Sequence, residues 1–155
     1  MRKGFVALLT IICLIGITTA ALAADSATKD EVVSKCKEAA MLVKEQGINS
    51  AIKEIGNKEG SFVWKDSYVF LMDMDGKMLA HPIKPDLTQQ KTTVNIKDSQ
   101  GKALFVEFIN MANDKGEGWV DYLWPKPGEE KPVQKTSYIY RVPGTQYFVG
   151  AGIYK

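Results

Sequence analysis

Ser67-Tyr68-Val69-Phe70-Leu71-Met72, then Asp73-Met74-Asp75-Gly76, then Lys77-Met78-Leu79-Ala80-His81-Pro82: this stretch decides how the rest of the chain is read. Its first part is apolar at odd and even positions alike, the pattern of a strand covered on both faces. Asp73 to Gly76 predicts a hairpin turn, because Asp side chains bond the local backbone and Gly takes a positive φ at little cost. Lys77 to His81 is then the return strand, and Pro82 ends it. A calcium loop fails on spacing. With Gly76 at the sixth position of an EF-hand, Leu71 falls first and Pro82 twelfth, where carboxylates are required.

Working outward, residues 29–46 predict a helix. Val32, Val33, Cys36, Ala39, Ala40 and Val43 recur at helical spacing, and Gly47 is a natural stop. Asn49 is the expected cap of a second, shorter helix that carries Ala51, Ile52 and Ile55 and ends at Gly56. Phe62-Val63-Trp64 leads into the first strand. Residues 82–102, with Pro82, Pro85 and Gly101, predict a long connecting segment with little regular structure. A helix over 103–113 buries Leu104, Phe105, Phe108, Ile109 and Ala112. Strands follow at 119–124, 133–142 and 146–154, the last two joined by a tight turn at Pro143-Gly144. The expected fold class is α+β: a PAS-like five-stranded antiparallel sheet, helices on one face, a long N-terminal helix and a helical connecting segment.

The 155 residues carry 20 Lys and Arg, 18 Asp and Glu, and a single His, with 45% hydrophobic and 25% charged content. That is material for one globular domain, and a net charge of +2 argues against a nucleic-acid partner. Arg2-Lys3, the apolar run from Phe5 to Ile17 and the small residues of Ala21-Leu22-Ala23 form the three-part pattern of a secretory signal peptide. The apolar run is short for a bilayer span. The expected division is therefore a signal peptide at 1–23 and a single ligand-binding domain at 24–155, periplasmic or secreted. A retained membrane anchor is the alternative. Cleavage would remove Cys13 and leave Cys36 alone on its apolar stripe, open to burial, an intermolecular bridge or service as a reactive thiol.

Two residues stand out for chemistry. Lys135 lies inside a predicted strand with no acid beside it. Either it is a solvated edge lysine, or it is a fixed cation that needs an anion, since a desolvated ammonium requires a partner. His81 ends the return strand beside the connecting segment. It either bonds nearby backbone or offers a ring nitrogen to a ligand. With no second His or adjacent Cys, it is not expected to hold a metal. No nucleophile elbow, Cys/His pair or phosphate loop is present, so no enzyme and no cofactor are expected. Gly150-Ala151-Gly152 ends the chain without a following helix, and close packing of a strand explains it better.

Five segments, in order and with matching spacing, resemble the single Cache domain of type 2, the extracytoplasmic sensor module of bacterial chemoreceptors and histidine kinases. They are Tyr68 to Gly76, Ala80-His81-Pro82, Gly116 to Pro127, Pro132 to Tyr138, and Val149 to Tyr154. The resemblance implies a pocket between sheet and connecting segment that takes a small organic acid such as acetate, propionate, pyruvate or lactate. It implies Tyr68, His81, Tyr122, Trp124, Lys135 and Tyr138 as pocket residues. One cation and several hydroxyls in an aromatic cavity suit a monocarboxylate. Strict alternation sets Lys135 and Tyr138 on opposite faces, so both can reach the pocket only across a bulge. Gln89-Gln90-Lys91 stands where the family often has Gly, and Tyr147 stands where Trp is usual. With nothing read after the last strand, the expectation is a stand-alone exported domain that acts through a separate membrane chemoreceptor, histidine kinase or transporter. The alternative is an interaction protein without a ligand, a homodimer paired through the N-terminal helix.

Overall fold

The computed structural model describes residues 26–155. The expected signal peptide and its cleavage point lie outside the described residues. The elements in chain order are α1 (Lys29–Gln46), α2 (Ile48–Ile55), β1 (Val63–Trp64), β2 (Ser67–Asp73), β3 (Met78–Ala80), a 3-10 turn (Pro85–Gln89), α3 (Leu104–Asp114), β4 (Glu117–Pro125), β5 (Pro132–Arg141) and β6 (Tyr147–Tyr154). The strands form one antiparallel sheet in the order β1-β2-β6-β5-β4. β3 pairs with β2 at Leu71 and Met72, beyond the point where β1 pairs at Ser67 and Tyr68. The architecture is the expected α+β sheet with one addition. Phe62-Val63-Trp64 does not run on into β2 but folds against it as a short hairpin, turning at Lys65 with φ 50°.

α1 starts where a capping box fixes it. The Thr28 hydroxyl accepts from the Glu31 N–H, and the Glu31 carboxylate accepts from the Thr28 N–H at 2.8 Å. The expected Asn49 cap is absent. Gly47, at φ +80°, ends α1 and immediately opens α2, so Asn49 already lies inside the helix. In the β2–β3 turn, Asp73 Oδ1 accepts from the N–H groups of Asp75 and Lys77 at 3.0 and 2.8 Å, and Gly76 sits at φ +88°. A Cβ there would also stand 2.5 Å from Val94 Cγ1, so the turn and the connecting segment are packed together.

The helices do not all lie on one face, and the composition of β2 is the reason. Its odd residues Val69 and Leu71 join Val32, Cys36, Ala39, Val149 and Ala151 in a core under α1 and α2. Its even residues Phe70 and Met72 join Phe105, Phe108, Tyr122, Ile139 and Phe148 in a second core under α3. A strand apolar on both faces needs a cover on each. Cys36 is fully buried, its Sγ 3.8 Å from the Tyr138 carbonyl, and burial pushes its thiol pKa up, so of the three readings burial is the one observed.

Candidate ligand-binding site

The α3 face of the sheet positions the site. Tyr122, Lys135 and Tyr154 lie side by side across β4, β5 and β6. Gly152 sits on the same face of β6, opposite Ser137. A Cβ on Gly152 would stand 2.3 Å from Ser137 Oγ and 2.9 Å from Lys135 Cε, so the glycine leaves the trough along which the lysine stem lies. Gly150 does the same for Phe70, whose Cζ would be 2.3 Å from a Cβ. The expectation of close packing at Gly150-Ala151-Gly152 is met, with a consequence for the site.

Lys135 is fully buried. Its Nζ lies 4.1 Å from the centre of the Tyr68 ring and 4.7 Å from that of Tyr154. It donates to Tyr154 Oη at 3.2 Å, and Tyr154 in turn donates to the Pro125 carbonyl at 2.9 Å. The ion pairs among the described residues join Lys35 to Glu38, Lys65 to Glu31 and Lys155 to Asp121, and none reaches Lys135. Ring faces and a phenol oxygen compensate a buried ammonium only in part. Burial therefore pulls its pKa from 10.5 down to about 7, against the smaller, opposite influence of Asp66. Of the two sequence readings, the solvated edge lysine is excluded by this burial.

His81 follows β3 and is buried, its ring 4.9 Å from that of Tyr68 and 6.3 Å from that of Trp124. Nδ1 accepts the Lys84 N–H at 2.9 Å. Burial first, then the charges of Lys135 and Lys84, lower its pKa from 6.5 to about 3. The imidazole is thus neutral, and with Nδ1 accepting, its proton is on Nε2, a donor. Tyr122 Oη lies 2.9 Å from Ser137 Oγ. Burial raises the Tyr68 and Tyr122 pKa values far enough that both stay phenols. Tyr68, Phe70, His81, Phe105, Tyr122 and Trp124 enclose a cavity of about 10 Å³, the threshold for a single water. A larger groove of about 780 Å³ runs along α1 and α2, but it is open and lined by mixed charges, Lys37, Glu38, Glu45, Lys53 and Glu54 among them. It offers no fixed, dry charge to a small ligand.

Of the six residues expected in the pocket, Lys135 packs against the Tyr68 ring without bordering the cavity, while Tyr68, His81, Tyr122 and Trp124 line it. Tyr138 does not. No bulge interrupts β5 between Lys135 and Tyr138, so alternation carries Tyr138 to the α1 face. There its ring packs on Trp119 and its hydroxyl donates to Glu117 Oε2 at 2.7 Å. Tyr154 was missed as a partner of Lys135, as were Ser137 and Gly152. The cavity lies between the sheet and α3 rather than against the connecting segment, which lends it no lining residue but is tied to the strands. Thr93 donates through both N–H and hydroxyl to the Gly76 carbonyl at 2.8 Å. Asp98 accepts from the Gln100 and Lys102 N–H groups and reaches across to the Leu123 N–H of β4 at 3.0 Å.

A family model described as Cache domain matches residues 26–155. The chain belongs to the Cache domain family. Cache domains are extracytoplasmic sensor domains, and among the described residues no helix is long and apolar enough to cross a membrane. The chain is 39% identical to the methyl-accepting chemotaxis protein McpP of Pseudomonas putida over 57% of its own length and 16% of that protein's. It is 28% identical to the sensor histidine kinase MctS of Rhizobium johnstonii, over 82% of this chain and 31% of the kinase. It thus spans less than a third of either relative. A solved Cache chemosensory domain, described for its carboxylic acid recognition, is 31% identical with a TM-score of 0.63, covering 78% of this chain and 84% of that one.

Proposed function

We propose that this Cache domain binds a small monocarboxylate of the acetate, propionate, pyruvate or lactate class in the cavity beside Lys135. The carrying observation is a fully buried lysine amine with aromatic faces, a phenol oxygen and no carboxylate at salt-bridge distance among the described residues, Asp66 acting on it only from farther off. An incoming carboxylate supplies the missing charge, and the neutral His81 Nε2–H and the Tyr68 and Tyr122 hydroxyls are the donors that orient it. The carboxylic acid recognition described for the 31% identical domain supports the same class. The domain would be exported by the signal peptide at 1–23 and pass occupancy to a membrane chemoreceptor, histidine kinase or transporter. The relatives of chemoreceptor and kinase type motivate that partner class.

A thermal-shift screen of two- to four-carbon acids tests the proposal, because a ligand that binds only the native state stabilises it by about 3 kcal/mol at a hundred times its Kd. An acid of this class should raise the melting temperature, and Lys135→Ala should abolish the shift. The small cavity favours a second reading, an interaction protein without a ligand, whose partner is another copy docked through α1. A flat screen with a concentration-dependent dimer would select it.

A further inference from the structure

We propose that the carboxylate enters this site together with a proton, taken up by Lys135, so that occupancy reports acid and pH as one signal. The inference rests on the carboxylate reading above. It follows from what surrounds the amine. On β2, Tyr68 presents a neutral ring, and Asp66, just ahead of the strand, accepts the Ala27 N–H at 2.8 Å. On β4, Tyr122 is tied to Ser137, and Trp124 carries Lys84 over its face at 5.3 Å. On β6, Tyr154 gives its own proton to the Pro125 carbonyl, with Lys126 at 5.7 Å from its ring and Glu129 acting on it from the β4–β5 connection. After β3, His81 is neutral with Nδ1 occupied. α3 contributes Leu104, Phe105 and Phe108, all apolar, to the cavity. The groups in contact are neutral, and the one charge that acts on the amine, Asp66, favours the ammonium by less than burial disfavours it.

In the empty site the ammonium is therefore the disfavoured form, and at pH 8 the amine is mostly neutral. A neutral amine does not hold a carboxylate. Binding above pH 7 is then RCOO⁻ plus H⁺ plus Lys-NH₂ giving an RCOO⁻ and Lys-NH₃⁺ pair, the proton coming from solvent. The transfer into the cavity is neutral overall, which lowers its desolvation cost. Below pH 7 the lysine already carries the proton and none is taken up.

Isothermal titration of the exported chain with acetate, propionate, pyruvate and lactate, each in two buffers of different ionisation enthalpy, reads the proton directly. Uptake near one proton per acid is expected at pH 8 and near zero at pH 6, with affinity falling about tenfold per pH unit above 7. Lys135→Arg, whose guanidinium stays charged, should take up none at either pH. Binding with no buffer dependence at pH 8 and equal affinity at pH 7 and pH 9 overturns the proton coupling while leaving the carboxylate site standing. No heat and no melting shift from any acid at pH 6 or pH 8 overturns the site itself, and the coupling with it.

Discussion

Replacing Lys135 by Met keeps the length of the side chain in its trough and removes the charge. Folding the native chain below pH 7 strips water from an ammonium that gains two ring faces and one phenol oxygen in return. The fall of its pKa from 10.5 to about 7 corresponds to an upper bound of about 5 kcal/mol. Buried charges replaced by apolar groups of similar volume release about 1–4 kcal/mol. The Met variant should therefore be about 2 kcal/mol more stable than the native domain at pH 6. The gap closes as pH rises and changes sign at about pH 8.5. Between 7 and 10.5 the unfolded lysine holds its proton and the folded one does not, so native stability rises by up to ~1.4 kcal/mol per pH unit through that window. Urea denaturation at pH 6, 8 and 10 without added acid measures all of this, and the same variant should show no melting shift with any carboxylate. A Met variant less stable than native at pH 6, with a gap that ignores pH, would falsify the reasoning: the ammonium would then be satisfied already, with nothing for an anion to neutralise.

Three further outcomes follow from the same geometry. Gly152→Ala forces a methyl against Ser137 Oγ, the Thr136 carbonyl and Lys135 Cε; a loss of about 2 kcal/mol is expected in urea unfolding, with the acid response weakened because the lysine stem is displaced. Tyr138→Phe removes the hydroxyl bond to Glu117 and should cost about 1 kcal/mol while leaving any acid-induced melting shift intact; loss of that shift would return Tyr138 to the pocket. His81, with a folded pKa of about 3 against 6.5, contributes stability that is complete above pH 6.5 and lost as pH falls toward 3. Denaturation curves between pH 4 and 7 should slope accordingly, and His81→Gln should flatten the slope.

The sequence was legible where a single local signal decided the outcome. α1 runs over the expected 29–46, bounded by Thr28 and Gly47, and the Asp73–Gly76 turn forms with the expected Asp bonds. β2 also announced two covered faces, yet the helices were assigned to one, because periodicity tells that a face is buried and not by what. The missed Tyr154 is a matter of register. Read as a two-residue turn, Pro143-Gly144 would place Val142 opposite Thr145 and bring Gly152 opposite Lys135. The actual turn closes with the Thr145 N–H on the Val142 carbonyl, β6 begins at Tyr147, and Tyr154 comes opposite instead. Tyr138 shows the converse. Alternation along β5 already set it apart from Lys135, and the structure follows alternation rather than the family's pattern.

The size of the cavity says which wall must yield to an acid. At about 10 Å³ it is filled by one water, and even acetate is several times larger. The sheet wall is poorly placed to move. β5 is hydrogen-bonded along its length to β4 and β6, and Gly150 and Gly152 are already packed to contact by Phe70, Ser137 and Lys135. The opposite wall is α3, through Leu104, Phe105 and Phe108, and the segment from Pro82 to Ala103 that leads into it adds no strand to the sheet and is tied chiefly by Lys84 to His81, Thr93 to Gly76 and Asp98 to Leu123. Segments held this sparsely open at lower free energy than a paired sheet. An acid admitted from that side meets His81 first and Lys135 last. One N–H of the ammonium goes to Tyr154 Oη, which leaves two donors to pair with an acid without breaking that bond. Occupancy is then felt chiefly in the bonds that hold the connecting segment against the strands.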